Sequence, residues 1–387
     1  MELSRKASIV GIGQTEFSKN SGRSELRLCT EAVTAALADA GISPHDVDGF
    51  VSFCMDNNTE GEVARALGMR DLTYFGRVDQ GGGACGGTIL QAAMAVATGA
   101  ARTVVCWRAM NERSGARFGQ PSAQLQVMPD PELTWMYVSQ GLQSAASYMA
   151  VMMRRYMYET GATREDFGRI ALAARKHAAI NPHAWFHGQP ISMEDYLASR
   201  PIAEPLCLLD CCQETDGGVA FVITSTQRAR DLRQKPVLIS AAAQGIRKGT
   251  NAMACFYRAD ISPRDEVRLV GDQLYAKSNL TSDDIDVAII YDHFGPSVMP
   301  ALEALGFCEY GEAKDFIRDG GIELGGHLPV NTHGGQVGEG YIHGMNGVLE
   351  AVRQVRGTAI NQVETVNHVM VTGASGVPTS GAILSAL

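Results

Sequence analysis

Leu280 to Tyr291 reads LTSDDIDVAIIY, and Ile42 to Phe53 reads ISPHDVDGFVSF. Each is a polar, acidic turn that runs into a β-branched or aromatic strand, and the residue classes largely agree position by position at one constant offset. Working outward, the pairing continues. Val78 to Thr98, a glycine loop followed by a small-residue helix, has its counterpart in 331–355. Arg102 to Trp107 (RTVVCW) has its counterpart in His368 to Gly373 (HVMVTG). One match can be chance, whereas three in the same order predict a duplicated α/β fold. The halves are read as 1–235 and 236–387.

The first half is read as strand Ala7 to Ile12, helix Ser24 to Ala40 ended by Gly41, and strand Gly49 to Phe53. The glycine loop, its helix and the strand Thr103 to Trp107 follow. This alternation signals layered α/β structure with crossover connections. On the first helix, Leu26, Cys29, Ala32, Val33, Ala36 and Leu37 share one face. From about 110 to 205 the character changes. Two of the three Trp (Trp135 and Trp185), many Met and helical runs at Ser144 to Glu159 and Arg164 to Ala179 suggest an inserted cap over an active site. Asp216-Gly217-Gly218 reads as a turn before the strand Val219 to Thr224, and the second half opens on Val237 to Ala243 and the helix Asp265 to Ser278.

Composition narrows the function. A chain of 387 residues with net charge −9 is not built for non-specific nucleic-acid binding. The N-terminus enters a strand without the apolar core of a signal peptide, and no apolar run is long enough to span a bilayer. The expectation is a cytoplasmic enzyme, with no membrane and no nucleic-acid partner. Nine cysteines at irregular spacing, with no C-x-x-C pair, read as buried small hydrophobes rather than a metal site.

Asn331 to Gly347, NTHGGQVGEGYIHGMNG, carries six glycines and leads into an apolar helix. Such a loop lets backbone approach a ligand, and the helix start offers unpaired N–H groups to a developing oxyanion. Tyr341 and His343 supply acid–base groups there. A tight surface turn with an incidental aromatic is the alternative reading. Duplicated folds bring equivalent loops together near the pseudo-twofold axis. Gly81–Gly87, Tyr291–Phe294 and Gly340–Gly344 are therefore expected to meet.

Three stretches carry a family resemblance: Ile191 to Ser225, Tyr291 to Cys308 (YDHFGPSVMPALEALGFC), and the 331–347 loop. Through them nearly the whole chain resembles the thiolase superfamily, in its sterol-carrier/lipid-transfer branch. The resemblance implies a five-layered α-β-α-β-α fold of two similar halves, usually a homodimer, with a site for acyl-CoA thioesters. It also marks departures. Laid without a gap on Gly81 to Leu90, the family's nucleophilic Cys falls on Gly83, and Cys85 lies two residues later. The G-H-P loop falls on Gly340-Tyr341-Ile342, the H-D-C-F or N-E-A-F motif on Tyr291-Asp292-His293-Phe294, and the second catalytic Cys or His near Ser375.

Claisen chemistry needs a thiolate and a base to unmask it. Here two lost polar positions are tyrosines. A phenol can donate to an enolate oxygen or take an alcohol proton, which suits retro-aldol cleavage of a β-hydroxyacyl-CoA without a covalent intermediate. The chain therefore resembles most the thiolase-like aldolases of bacterial steroid side-chain degradation. That resemblance implies a β-hydroxy steroid acyl-CoA such as a 17-hydroxy-pregnene-carboxyl-CoA, cleaved to a 17-keto steroid and propionyl-CoA. It implies no cofactor beyond the CoA of the substrate, and an OB-fold (DUF35) domain of a companion hydratase as partner.

The candidate catalytic residues are Tyr291, Tyr341, His293 and His343, with Tyr341 preferred as donor to the thioester oxygen. The candidate substrate-binding residues are Gly83, Cys85, Asn331, Gly340 and Ser375. Each has a plainer reading. Tyr291 can be a packed strand-end residue, the two His partly exposed loop residues, and Asn331 and His333 turn-formers. If 291–293 and 341–343 are strand-like, each His shares a face with its tyrosine and Asp292 points away. An acetyltransferase using Cys85, whose place at a helix start lowers a thiol pKa, is the alternative enzyme. A non-catalytic lipid-binding scaffold subunit is the alternative of another class.

Overall fold

The computed structural model describes residues 3–115, 117–118, 137–250, 256 and 258–387. Trp135, Cys255 and part of the expected cap lie outside the described residues. The strands are β1 (Ala7–Gln14), β2 (Gly49–Phe53), β3 (Tyr74–Val78), β4 (Thr103–Asn111), β5 (Pro201–Ala203), β6 (Leu206–Cys207), β7 (Asp216–Ser225), β8 (Val237–Gly245), β9 (Val287–Ile289), β10 (His368–Thr372) and β11 (Thr379–Ser385). The longer helices are α1 (Glu25–Ala40), α2 (Cys85–Thr98), α3 (Ala145–Thr160), α4 (Arg164–Ile180), α5 (Asp265–Ser278) and α6 (Met345–Arg356).

Nine strands run in the order β3-β2-β4-β7-β1-β8-β11-β10-β9. The two halves of that list are the same motif. β2–β4 and β9–β10 pair in parallel, while β4–β7–β1 and β10–β11–β8 are antiparallel. Even β3 has a vestige, a parallel bridge between Ala288 and Val330 just before the second glycine loop. The half-sheets join at a seam of two residue pairs, Ser8 with Leu238 and Ile9 with Val237. The seam makes one continuous sheet, which the repeat pattern did not foretell.

Strand alternation builds the layers, because successive side chains point to opposite faces. Along β4, Val104, Cys106 and Met110 enter the central core, while Val105, Trp107 and Ala109 face α1. Along β10, Val369 and Val371 face the centre and Met370 faces outward. α2 and α6 lie in the middle and pack on strands of both halves, with α1 outside the first half and α5 outside the second. This is the α-β-α-β-α sandwich. Trp107 and Phe50 meet edge to face at 4.7 Å beneath α1, and each such fully buried side chain contributes about 1.5–3 kcal/mol.

α1 begins where Ser24 accepts from the Arg27 N–H and ends at Gly41 in the left-handed region, φ 71°. Leu26, expected on its buried face, is only partly buried; Leu28 and Ala40 complete that face instead. α3 and α4 pack mainly on the outer side of the second half, where Met149, Met153, Tyr156 and Phe167 join Val267, Val270 and Leu274 of α5. Asp216-Gly217-Gly218 is not a turn but the start of β7. A Cβ at Gly217 would sit 2.9 Å from the Phe17 ring, and one at Gly218 would sit 2.5 Å from the Leu28 carbonyl. These glycines allow α1 and its approach to press on the strand, so they are packing residues. Among the described residues, no helix is long and apolar enough to cross a membrane.

Candidate active site

Three loops meet at the pseudo-twofold centre, as the duplication predicts. Tyr291 follows β9, Tyr341 lies in the glycine loop before α6, and Gly81–Gly87 leads into α2. The Tyr291 hydroxyl donates to the Tyr341 hydroxyl at 3.1 Å, with the rings edge to face at 6.3 Å. Both rings are buried. A Cβ on Gly82 would come within 2.4 Å of the Tyr291 phenol, and one on Gly344 within 2.7 Å of the same ring. Tyr291 is therefore held between two glycine backbones, one from each half. Tyr341 is anchored by its own backbone: its N–H donates to Thr215 Oγ1 at 2.8 Å, and its carbonyl accepts from that hydroxyl at 3.2 Å.

Burial disfavours phenolate, and it pushes both tyrosines well above their ordinary range. For Tyr291 the neighbouring Tyr341 adds to the effect; for Tyr341 the next contributions come from Cys212 and Glu112. Both phenols are thus proton-bearing at neutral pH, and the pair is built to pass a proton rather than to store a charge.

The two histidines flank the pair. His293 lies 5.2 Å from Tyr291 and His343 lies 5.2 Å from Tyr341, ring to ring. The strand-like backbone expected for this neighbourhood is absent at His343, which has φ 49°; the loop turn brings the rings together instead. Both are buried rather than partly exposed. Burial lowers His293 to about 3 and His343 well below its usual value, the latter helped by Arg108 and His293. Arg108 Nε donates to His343 Nδ1 at 3.1 Å, and Arg108 also pairs with buried Asp56 at 3.2 Å. His343 Nδ1 is therefore the acceptor, and its proton sits on Nε2, facing Gly81.

Asp292 does point away. The Gln336 N–H donates to its Oδ1 at 2.6 Å, and a Cβ on Gly335 would collide with its Oδ2 at 2.0 Å, so it braces the glycine loop. Asn331 is a brace too: its side chain pairs with the N–H and the carbonyl of Ile290, at 2.9 and 2.8 Å. That engages the amide in holding the strand end before Tyr291. Gly340 packs on Phe17, where a Cβ would sit 2.6 Å from the ring. Gly83 lies under the Pro378 carbonyl and borders a cavity of ≈ 540 Å³ lined by Gln91, Gln244 and Ser380. Ser375 is buried with its hydroxyl unpartnered among the described residues, on a loop whose Ala374 N–H donates to the Gly82 carbonyl at 2.9 Å.

Cys85 opens α2; its thiol makes a long contact, 3.8 Å, to the Thr372 carbonyl, and the backbone N–H groups of Cys85 and Gly86 face its sulfur. Full burial raises its thiol to about 12. The helix start does not offset that desolvation, and among the described residues no histidine is hydrogen-bonded to the sulfur to take its proton. The geometry offers no activated nucleophile at Cys85.

A scan of family models matches residues 7–227 to the thiolase N-terminal domain and residues 248–385 to the thiolase C-terminal domain-like family. A 17-hydroxy-3-oxo-4-pregnene-20-carboxyl-CoA lyase of Mycobacterium tuberculosis is 58% identical over 99% of this chain and 100% of its own. The chain belongs to the thiolase superfamily, on its aldolase branch. A steroid side-chain-cleaving aldolase of Thermomonospora curvata is likewise 58% identical, over 98% of both chains. A solved Ltp2-ChsH2(DUF35) aldolase superposes with TM-score 0.94 at 57% identity, covering 100% of this chain and 99% of that one.

Sequence reading missed Arg108, Asp56, Glu112 and Cys212 around this aldolase-branch centre. Two of them carried a signal. Arg108 and Glu112 continue the centre-facing alternation of Val104, Cys106 and Met110. A charge at a core-facing register needs a buried partner or a function. Asp56 and Cys212 arrive through tertiary contacts that no local pattern marks.

Proposed function

We propose that this chain is a carbon–carbon lyase that cleaves a β-hydroxyacyl-CoA by a retro-aldol reaction, with Tyr291 and Tyr341 as its proton-transfer groups. The observation that carries this reading is the buried phenol–phenol hydrogen bond at 3.1 Å, beside a cysteine whose thiol is held at about 12. Retro-aldol cleavage removes the β-hydroxyl proton as the Cα–Cβ bond breaks and leaves a thioester enolate to be protonated. The donor direction suggests a relay. Tyr291 accepts the hydroxyl proton while its own proton moves to Tyr341, and Tyr341 protonates the enolate. The C–O electron pair closes the ketone, the Cα–Cβ pair becomes the enolate, and neither phenol carries net charge at the end. Neutral His293 and His343 orient the two rings. Gly83 and Ser375 are the substrate contacts this reading retains.

The names of the relatives support a 17-hydroxy steroid side-chain CoA thioester as substrate, giving a 17-keto steroid and propionyl-CoA. An aldolase solved with ChsH2(DUF35) supports an OB-fold partner from a companion hydratase. β3 is an edge strand carrying Phe75, 67% exposed, and this supports homodimerisation through that edge. Protein phenols supply both acid and base, so the proposed chemistry needs no cofactor beyond substrate CoA. A cytoplasmic site of action goes with a CoA thioester.

The test is turnover of a β-hydroxy steroid acyl-CoA, with and without the OB-fold partner, followed as propionyl-CoA and ketone by mass spectrometry. Release of both supports the reading. Acetyl transfer to CoA with no cleavage in either arm would overturn it.

A further inference from the structure

Glu112 has no role in the reaction as described so far, yet its placement is costly. It follows the last residue of β4 and extends the centre-facing stripe that holds Arg108 and Met110. The residue is 3% exposed, and among the described residues its Oε2 has no hydrogen-bond partner. A buried carboxyl oxygen without a partner is destabilising unless something else uses it. Its surroundings are those of the reacting centre. The Phe118 N–H donates to the carboxyl, and the Phe118 ring lies 5.2 Å from His343. Glu112 also acts electrostatically on Tyr341 and on Cys212.

We propose that Glu112 is a substrate-facing residue of the retro-aldol centre, its unpartnered Oε2–H donating a hydrogen bond to the thioester oxygen on which negative charge gathers as the Cα–Cβ bond breaks. This rests on the retro-aldol reading above. In that reading Tyr341 gives its proton to the enolate, and a second donor is needed on the oxygen during the same step. Burial and Glu214 raise the carboxyl well above the usual range, against the opposing pull of Arg108 and Lys19, and this keeps the proton in place. Lys19 is itself engaged, donating to Gln213 Oε1 and the Glu214 carbonyl. A carboxylic acid kept neutral in an apolar site can donate beside a tyrosine in this way. Glu112 keeps its proton throughout, so the balance of the cleavage is unchanged.

The experiment compares Glu112→Gln and Glu112→Ala with the wild type in the same propionyl-CoA assay. Gln retains a neutral donor, so kcat within about 3-fold of wild type is expected. Ala removes the donor, and kcat is expected to fall about 100- to 1000-fold, the usual cost of one oxyanion donor, with KM little changed. Difference infrared spectroscopy of wild type against Glu112→Gln is expected to show a protonated carboxyl at neutral pH, and this arm stands even if the Ala variant does not fold. Ala activity near wild type, Gln as impaired as Ala, or an ionised carboxyl in the infrared would each overturn the proposal while leaving the lyase intact. Failure of the wild type to cleave any β-hydroxyacyl-CoA would instead sink the retro-aldol reading, and this inference with it.

Discussion

Arg108→Met tests how the site is supported. The wild-type guanidinium is 2% exposed, donates to His343 Nδ1 at 3.1 Å, and pairs with Asp56 at 3.2 Å. Removing one partner of a buried ion pair costs about 3–5 kcal/mol, because the other charge is left uncompensated. Asp56 keeps other donors, the Ala109 N–H at 3.0 Å and Asn58 N and Nδ2 at 2.9 and 2.8 Å. The low end, about 3 kcal/mol, is therefore expected in a denaturant melt. The second effect is on His343, which loses the donor that fixes its tautomer. A hydrogen bond from a charged donor is worth about 1.5–3 kcal/mol, and if the transition state relies on it, kcat falls about 10- to 100-fold. A double-mutant cycle with His343→Gln separates the effects. Arg108 acts through His343 only if the kcat losses are strongly non-additive. Additivity within about 0.5 kcal/mol, or a kcat unchanged in Arg108→Met, would refute the reasoning.

Two further outcomes follow from the same geometry. Gly82→Ala places a methyl 2.4 Å from the Tyr291 phenol; turnover is expected to fall by more than about 100-fold while stability drops only about 1–3 kcal/mol, whereas Gly61→Ala, which meets nothing within 4 Å, should leave turnover unchanged. Asp292 is raised from 3.8 to about 7 by burial, so the native state holds a proton that the unfolded chain has lost. Its contribution is present below pH 3.8 and is lost as pH rises through about 7. In denaturant melts the stability of Asp292→Asn relative to wild type should therefore grow by about 1.4 kcal/mol per pH unit up to about pH 7 and then level off. A difference independent of pH would contradict this.

The fold was legible because duplication wrote the same turn-strand and glycine loop–helix–strand order twice, and α/β connectivity leaves few ways to arrange it. The seam between β1 and β8 was not legible, since a two-pair junction has no local pattern. Gly217-Gly218 read as a turn because adjacent glycines usually mark one, yet here they admit Phe17 and the α1 backbone. In the site, Tyr291 and Tyr341 stood out where a family motif departed from its usual residues. The bonds of Asn331 to Ile290 were not legible, because they depend on the loop folding back on β9. Arg108 and Glu112 were hidden for the opposite reason. The strand was read only as far as Trp107, whereas β4 runs to Asn111 and its alternation, carried one residue further, aims both at the centre.

The most direct measurement is single-turnover cleavage of a β-hydroxy steroid acyl-CoA by Tyr291→Phe, Tyr341→Phe and Cys85→Ala, each checked for folding by thermal melting. The paired-phenol account predicts that each Phe variant loses about 100- to 10,000-fold in rate, the usual worth of a positioned proton-transfer group. It predicts that Cys85→Ala cleaves at nearly the wild-type rate. Full activity in both Phe variants, with an acyl-enzyme on Cys85 and a dead Cys85→Ala, would contradict it.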